Sequence, residues 1–312
     1  MSCTFPITIA DKFGTPCLVP CGQCLACLLT AKGQIIARIA LEVAMTPPDA
    51  INLFSTHTFG EFPPVDVFDT SKENQRAMLE LFSVGLRSLR KRQRTYEKKH
   101  NLPAIPIRFY VNSEFGGNGL RGHLHAALLH VRPGLVDPGD ISSGQDQNKM
   151  LHLPWWPHGA TVLKELAIET VGYIANHGFK SLAHGLKIQR RFSSHPSLGA
   201  SGIRKMARDL FATHGSRLPS EIRLNYGKSV LSIPPTLQAH YLDELAQLGH
   251  APQRLGLSGY ENYRLRHHPT LEHLHHTARE SQDEQKRLRS PYGQDTLTAK
   301  RRFYGSKPHE RF

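Results

Sequence analysis

Residues 123–131 read HLHAALLHV, and residues 105–114 read IPIRFYVNSE. Both stretches are rich in aliphatic, aromatic and β-branched side chains, and the segment between them, FGGNGLRG, holds four glycines. Two strand-like runs around a glycine-rich reversal predict an antiparallel hairpin. Side chains alternate between the faces of a strand, so His123 and His125 share one face while Leu124, Ala126 and Leu128 point the other way, toward a core. Glu114 ends the first strand, and the hairpin brings it beside the histidine pair. Two imidazoles and a carboxylate suit Mg²⁺ or Mn²⁺ with open coordination positions, or a transition metal. An HxH triplet also arises by chance in a chain with 19 histidines, so the pair alone leaves ligation and coincidence both open.

Working outward from the hairpin, residues 30–45 predict a helix with Ile35, Ile36, Ile39 and Val43 on one face, ended by Pro47-Pro48. Residues 51–59, INLFSTHTF, read as a strand. Thr70 and Glu73 form a capping box ahead of a long helix over 71–99, whose apolar face is Met78, Leu79, Phe82, Leu86 and Leu89. The second half of that helix is a dense basic run with Arg90, Lys91, Arg92 and Arg94. It reads either as a solvated face or as a contact for phosphate. Residues 132–150 are polar and rich in Pro, Gly and Asp, an insertion or lid, and LPWWPHG is a turn. Residues 161–180 predict a helix that puts Tyr173, His177 and Lys180 on one stripe, with Leu166, Val171 and Ile174 to pack it. A tyrosine facing a metal can act as a nucleophile, and a nearby lysine can steady charge on phenolate or phosphate. The bland alternative is a tyrosine at the core boundary with two solvated neighbours. Beyond residue 190 the pattern is less regular, with helical signals around 235–247 and 270–289.

The formal charge of +13, from 39 Lys+Arg against 26 Asp+Glu, points to a polyanionic partner, nucleic acid first. The apolar runs are too short to cross a bilayer, and the first residues lack the basic and apolar regions of a signal peptide, so a soluble, intracellular protein is expected. All five cysteines fall within the first 27 residues. Cys21, Cys24 and Cys27, with Cys17 close by, have the short spacing of a structural zinc site, although reduced, buried thiols fit as well.

In order along the chain, these segments resemble the replication initiators of microviruses (gokushovirus-like), small single-stranded DNA phages. Those proteins belong to the HUH endonucleases, named for a His-hydrophobic-His metal motif. The motif here is His123-Leu124-His125 within RGHLHAALL. SEFG, with Glu114, resembles the family's GE-aromatic-G segment. YIANHGFK, with Tyr173 and Lys180, resembles its tyrosine helix YVxxYVxK. PCGQCLAC at 20–27 resembles an N-terminal PCGxCxxC, and Arg38 and Glu42 match an R-xxx-E helix. NLFSTHTF stands at the motif I strand, PWWPHG at a Trp-Pro-x-Gly turn, RRFSSHPSLGASGI at an S-x-x-PGIG segment and RLNYGK at a Pro-x-Tyr-Tyr segment. The likeness covers about residues 3–230.

Two positions depart from the family pattern. His177 replaces the second tyrosine, which implies a one-tyrosine scheme or a supporting role for His177. His57 stands where the family has an apolar residue, and is read as a solvent-facing polar side chain in preference to an extra ligand. The resemblance implies an α+β HUH endonuclease fold, a central antiparallel sheet with helices packed on it. Around it would stand a Cys-rich N-terminal segment and helix (1–45), a nuclease core (46–215) and a basic, partly helical region (216–312). It further implies nicking of a single-stranded origin in supercoiled DNA by Tyr173, with metal on Glu114, His123 and His125. Arg90, Lys91, Arg92, Arg94, Arg190 and Arg191 would hold the DNA backbone, host helicase and polymerase would be partners, and the place of action would be the host cytoplasm. Two rival readings remain: a non-enzymatic DNA-binding or packaging protein, and an HUH relaxase or transposase. Relaxases tend to carry three histidines and a tyrosine near the N-terminus, and this chain has neither.

Overall fold

The computed structural model describes residues 3, 5–10, 16–22, 24–116, 121–142, 149–166, 171, 172, 174, 175, 189–215, 222–226 and 229–249. Two compact units divide the chain, one of Ile36–Gly202 and one of Met1–Ile35 with Ile203–Phe312. The class is α+β. Among the described residues no helix is long and apolar enough to cross a membrane.

The unit Ile36–Gly202 is built on a six-stranded sheet. Its strands are β3 (Ile51–His57), β4 (Arg108–Gly116), β5 (Arg121–Val131), β6 (Ile141–Ser142), β7 (Thr161–Glu165) and β8 (Arg190–Phe192), in the order β6-β7-β3-β5-β4-β8. The hairpin read from the sequence is its centre: β4 and β5 run antiparallel with Glu114 opposite His123 and Asn112 opposite His125. The sheet is mixed, where an antiparallel one is expected, because β6 lies parallel to β7 at the edge. A two-residue strand is too short to leave a periodic trace in sequence.

One face of the sheet packs on helix α2 (Lys72–Lys99). Met78, Leu79, Phe82, Leu86 and Leu89 are all buried there against Leu53, Val111, Leu124, Ala126 and Leu128, with Trp155 and Trp156 closing the end of the core. The helix is capped by Ser71, whose hydroxyl accepts from the Asn74 backbone N–H at 3.2 Å, and not by Thr70. Inside the basic run two polar side chains face inward. Gln93 donates to the carbonyls of Ile105 (2.8 Å) and His130 (3.1 Å), and Glu97 accepts from Arg132 Nε at 3.1 Å. Arg132 is fully buried and also pairs with Asp49. These bonds pin the far end of α2 to the strand ends, since a buried charge holds only when paired.

The start of the 161–180 segment is strand β7, not helix: Thr161–Glu165 pairs with β3, and ladder partners on both sides override local helical spacing. Val171, Gly172, Ile174 and Ala175 are helical, and Val171, Ile174, Ala175 and Leu166 are buried. Tyr173, His177, Lys180 and the segment 270–289 lie outside the described residues.

The other unit has two small hairpins, β1 (Ile7–Ala10) with β2 (Pro16–Val19), and β9 (Arg223–Tyr226) with β10 (Ser229–Ser232). Helices α3 (Ala200–His214) and α4 (Pro235–Gln247) bury Ile203, Ala207, Leu237, Tyr241 and Leu245, and Arg208 pairs with Glu244 at 2.5 Å. Helix α1 (Leu25–Val43) contributes its residues through Ile35 here and the rest to the sheet unit.

Candidate metal centre

Strand alternation puts Leu124 and Ala126 on the α2 side and His123 and His125 on the other side of β5. Glu114 reaches the pair from the neighbouring strand. Its Oε2 lies 2.8 Å from His125 Nε2 and 3.8 Å from His123 Nε2, and the two Nε2 atoms are 3.0 Å apart. Glu114 and His125 are each 5% exposed, while the His123 side chain is 23% exposed and opens the cluster to solvent.

The outer nitrogens orient the rings. His123 Nδ1 is 3.3 Å from the Arg121 carbonyl, and His125 Nδ1 is 3.0 Å from Thr56 Oγ1. A carbonyl only accepts, so Nδ1 of His123 carries the proton and Nε2 presents a lone pair. The Thr56 hydroxyl can accept from His125 in the same way, and the Phe54 ring stacks on His125 with centroids 5.5 Å apart. Two lone pairs and a carboxylate oxygen then converge, an arrangement that a cation between them satisfies. Two of the three spacings fit one: donors about 2.1 Å from an octahedral ion stand about 3.0 Å apart in neighbouring positions, as His125 Nε2 does from both other atoms, while the Glu114–His123 edge is longer at 3.8 Å. The group thus has the composition and geometry to bind a metal ion.

Three neighbours on this face escape a reading based on the HxH motif alone. Asn112, opposite His125, is fully buried, and its carboxamide oxygen has no hydrogen-bond partner. Its signal was position: it precedes Glu114 by two residues and so shares its face. Arg190 stands opposite Asn112 on β8 and is exposed. Phe192, two residues on, is 36% exposed and lies under the Arg38 guanidinium at 5.3 Å. Tyr110 shares the face but is buried, and burial pushes its phenol up to about 12, so it is no ready nucleophile.

The basic residues singled out in the sequence are divided by the sheet. Arg191 points to the α2 side and bonds Glu80 at 2.7 Å and Ser83 at 3.0 Å. Arg90 donates to the Ile107 carbonyl at 2.8 Å. Lys91, Arg92 and Arg94 are exposed on α2, which covers the face opposite the histidines.

His57 is not solvent-facing. It is fully buried on the core side, paired with Ser55 Oγ (3.0 Å) and Thr161 Oγ1 (3.1 Å), and ringed by Phe82, Trp155 and Trp156. Burial, then the nearby His125, pulls its pKa down to about 3. Its ring fills core space and its two nitrogens satisfy buried hydroxyls, which is why a polar residue is tolerated there.

A second group of potential ligands is Cys3, Cys21, Cys24 and Cys27. The group includes Cys3, which the spacing did not single out. The backbone of Cys17 lies in β2 opposite Ile9, and its side chain is outside the described residues. Comparison of the chain with protein-family models, with curated proteins and with solved structures finds no match.

Proposed function

We propose that this chain is a metal-dependent nuclease of the HUH type that nicks single-stranded DNA to begin rolling-circle replication. The observation that carries the reading is the convergence of Glu114 Oε2 and the Nε2 atoms of His123 and His125 on one face of adjoining strands, with both Nδ1 atoms held from behind. When bound there, Mg²⁺ or Mn²⁺ supplies Lewis-acid polarisation of a scissile phosphate.

The remaining chemistry belongs to the chain. The Tyr173 hydroxyl gives up its proton and its oxygen attacks phosphorus. The bond to the 3′ oxygen breaks, the 3′ hydroxyl leaves protonated, and the 5′ phosphate stays on the tyrosine. Lys180 steadies the negative charge, and His177, standing where the resemblance has a second tyrosine, supports a single-nucleophile scheme. Arg190 holds a backbone phosphate beside the ligands, and Phe192 with Arg38 offers a surface on which a base can stack. The net charge of +13 agrees with a polyanionic partner. The substrate is an origin exposed in supercoiled phage DNA, host helicase and polymerase extend the freed 3′ end, and the reaction runs in the host cytoplasm.

The test is a nicking assay on 3′-labelled single-stranded oligonucleotides with Mn²⁺. A covalent protein–DNA adduct is expected from the natural protein, none from Tyr173→Phe, and no cleavage from the double variant His123→Ala/His125→Ala. Undiminished cleavage by the double variant overturns the metal assignment, and an adduct from Tyr173→Phe overturns the nucleophile.

A further inference from the structure

We propose that Cys3, Cys21, Cys24 and Cys27 bind one zinc ion in a closed, structural site that anchors the N-terminal hairpin to the start of α1. All four sulfurs lie within 4.8 Å of one another. Cys3 Sγ is 3.8 Å from Cys24 Sγ, and Cys21 Sγ is 3.9 Å from Cys27 Sγ. A zinc–thiolate bond of about 2.3 Å makes each edge of a tetrahedron about 3.8 Å, so two opposite edges already have the length a single zinc ion requires. A disulfide needs sulfurs about 2.05 Å apart, and none of these four cysteines is in a disulfide. Sulfurs this close surround one ion and leave no room for a multi-iron cluster.

The local backbone is arranged for thiolates. The N–H of Cys21 donates to Cys3 Sγ at 3.2 Å, and that of Cys24 to Cys21 Sγ at 3.3 Å. Such donors stabilise charge on sulfur. Gly22 takes φ +73°, a left-handed turn that lets the chain fold back between Cys21 and Cys24. Cys24 immediately precedes α1 and Cys27 lies in its first turn, where the helix dipole favours anions, and no acidic residue occupies that turn. The fourth ligand arrives through topology. The β1–β2 pairing, with Ile7 opposite Val19, carries Cys3 back to the Cys21–Cys27 segment.

The hairpin needs such an anchor. Phe5, Ile7 and Ile9 are 53%, 48% and 43% exposed, so these side chains contribute little burial. A two-stranded hairpin with four-residue strands is marginal by itself, and a metal cross-link is a common remedy. Four protein ligands leave no open position, which makes the site structural and separate from the Glu114 centre.

The experiment measures metal by mass spectrometry in full-length protein purified without chelator. One zinc per chain is expected, retained by His123→Ala/His125→Ala and by Cys17→Ser, and lost from Cys3→Ser. Absence of zinc, iron in its place, or zinc retained by Cys3→Ser and lost from Cys17→Ser overturns the assignment. If Cys3→Ser does not fold, cobalt exchanged into the natural protein decides. A four-sulfur tetrahedral site gives intense thiolate-to-cobalt charge transfer and tetrahedral d–d bands, and their absence rejects the site. Either result leaves the nuclease reading standing or falling on its own assay.

Discussion

Asn112 is costly where it stands: its buried carboxamide oxygen has no partner among the described residues, which costs about 1–3 kcal/mol, and its Nδ2 makes one long bond, 3.4 Å, to the Ser113 carbonyl. Under the proposed metal site, its place opposite His125 would make it a further oxygen for a cation at Glu114, His123 and His125, or for a water on that cation. Asn112→Val is therefore expected to leave thermal stability unchanged or raised, while the Mn²⁺ concentration for half-maximal nicking rises about tenfold or more. An unchanged Mn²⁺ requirement, read by titration of the nicking rate, rejects that role. His57 gives a pH signature of different origin. Its pKa is about 3 in the folded chain against about 6.5 when unfolded, so the unfolded state takes up a proton that the folded state refuses. Its contribution is fully present above pH 6.5 and is lost as pH falls toward 3, at about 1.4 kcal/mol per unit. Between pH 7 and pH 5 the loss amounts to about 2 kcal/mol. Denaturant midpoints should fall over that interval in the natural protein, with the drop reduced by that amount in His57→Gln. Parallel slopes in the two proteins refute a neutral, buried His57.

At the scale of elements, α2 and the turn carrying Trp155 and Trp156 approach each other through Gly85. A Cβ at that position meets the Trp155 carbonyl oxygen at 2.6 Å, closer than real contacts allow. Alanine is the better helix former by about 1 kcal/mol, yet the clash with backbone reverses the sign. Gly85→Ala is expected to lower stability by about 1–3 kcal/mol. Gly33→Ala in α1, whose Cβ meets Leu231 at an ordinary 3.6 Å, is expected to be neutral or stabilising by up to about 1 kcal/mol. Thermal melts of the two variants check both signs. The elements legible in the sequence are those whose pattern repeats long enough to be counted: α2, with its five-residue apolar face, α4, and the β4–β5 hairpin with its His/Leu alternation. Those missed are short or decided elsewhere. β6 and β8 have two and three residues and exist because an edge was there to pair with. β7 carried helical spacing into a strand because β3 offered it a ladder. The α3 segment ASGIRKMARDLFATH has a regular apolar stripe and was hidden behind the Pro- and Ser-rich run before it. In the centre itself, Glu114, His123 and His125 were readable from alternation plus one reversal. Thr56 was not, and Arg190, expected only as a backbone contact, could not be placed beside the ligands, since each position depends on which strand lies next door. Cys3 also needed the fold, since the β1–β2 hairpin closes a separation of 18 residues that no spacing rule spans.

At the scale of the whole chain, a charge of +13 is the footprint expected for a polyanionic partner, and under the proposed function it does not say which face the DNA would be cut on. The sheet separates those questions. Arg190 lies on the face that carries the candidate ligands, while Lys91, Arg92 and Arg94 lie on the helix covering the opposite face. A phosphate at Glu114, His123 and His125 can touch the first and cannot touch the other three. Single-stranded DNA binding measured in chelator, as a function of salt, should show log K falling linearly with log salt by about 0.7 for each phosphate neutralised. Under the proposed function, Arg190→Ala is expected to lower that slope by about one such contact and also to slow single-turnover nicking at saturating DNA by about tenfold or more, as for a residue that positions the strand at the bond to be broken. The triple variant Lys91→Ala/Arg92→Ala/Arg94→Ala is expected to leave the saturated nicking rate within about twofold, whatever it does to affinity, since binding energy made equally in ground and transition states does not change the chemical step. A triple variant that nicks slowly at saturation, beside an Arg190→Ala protein that nicks at full speed, puts the strand on the α2 side and removes the Glu114 face from the chemistry.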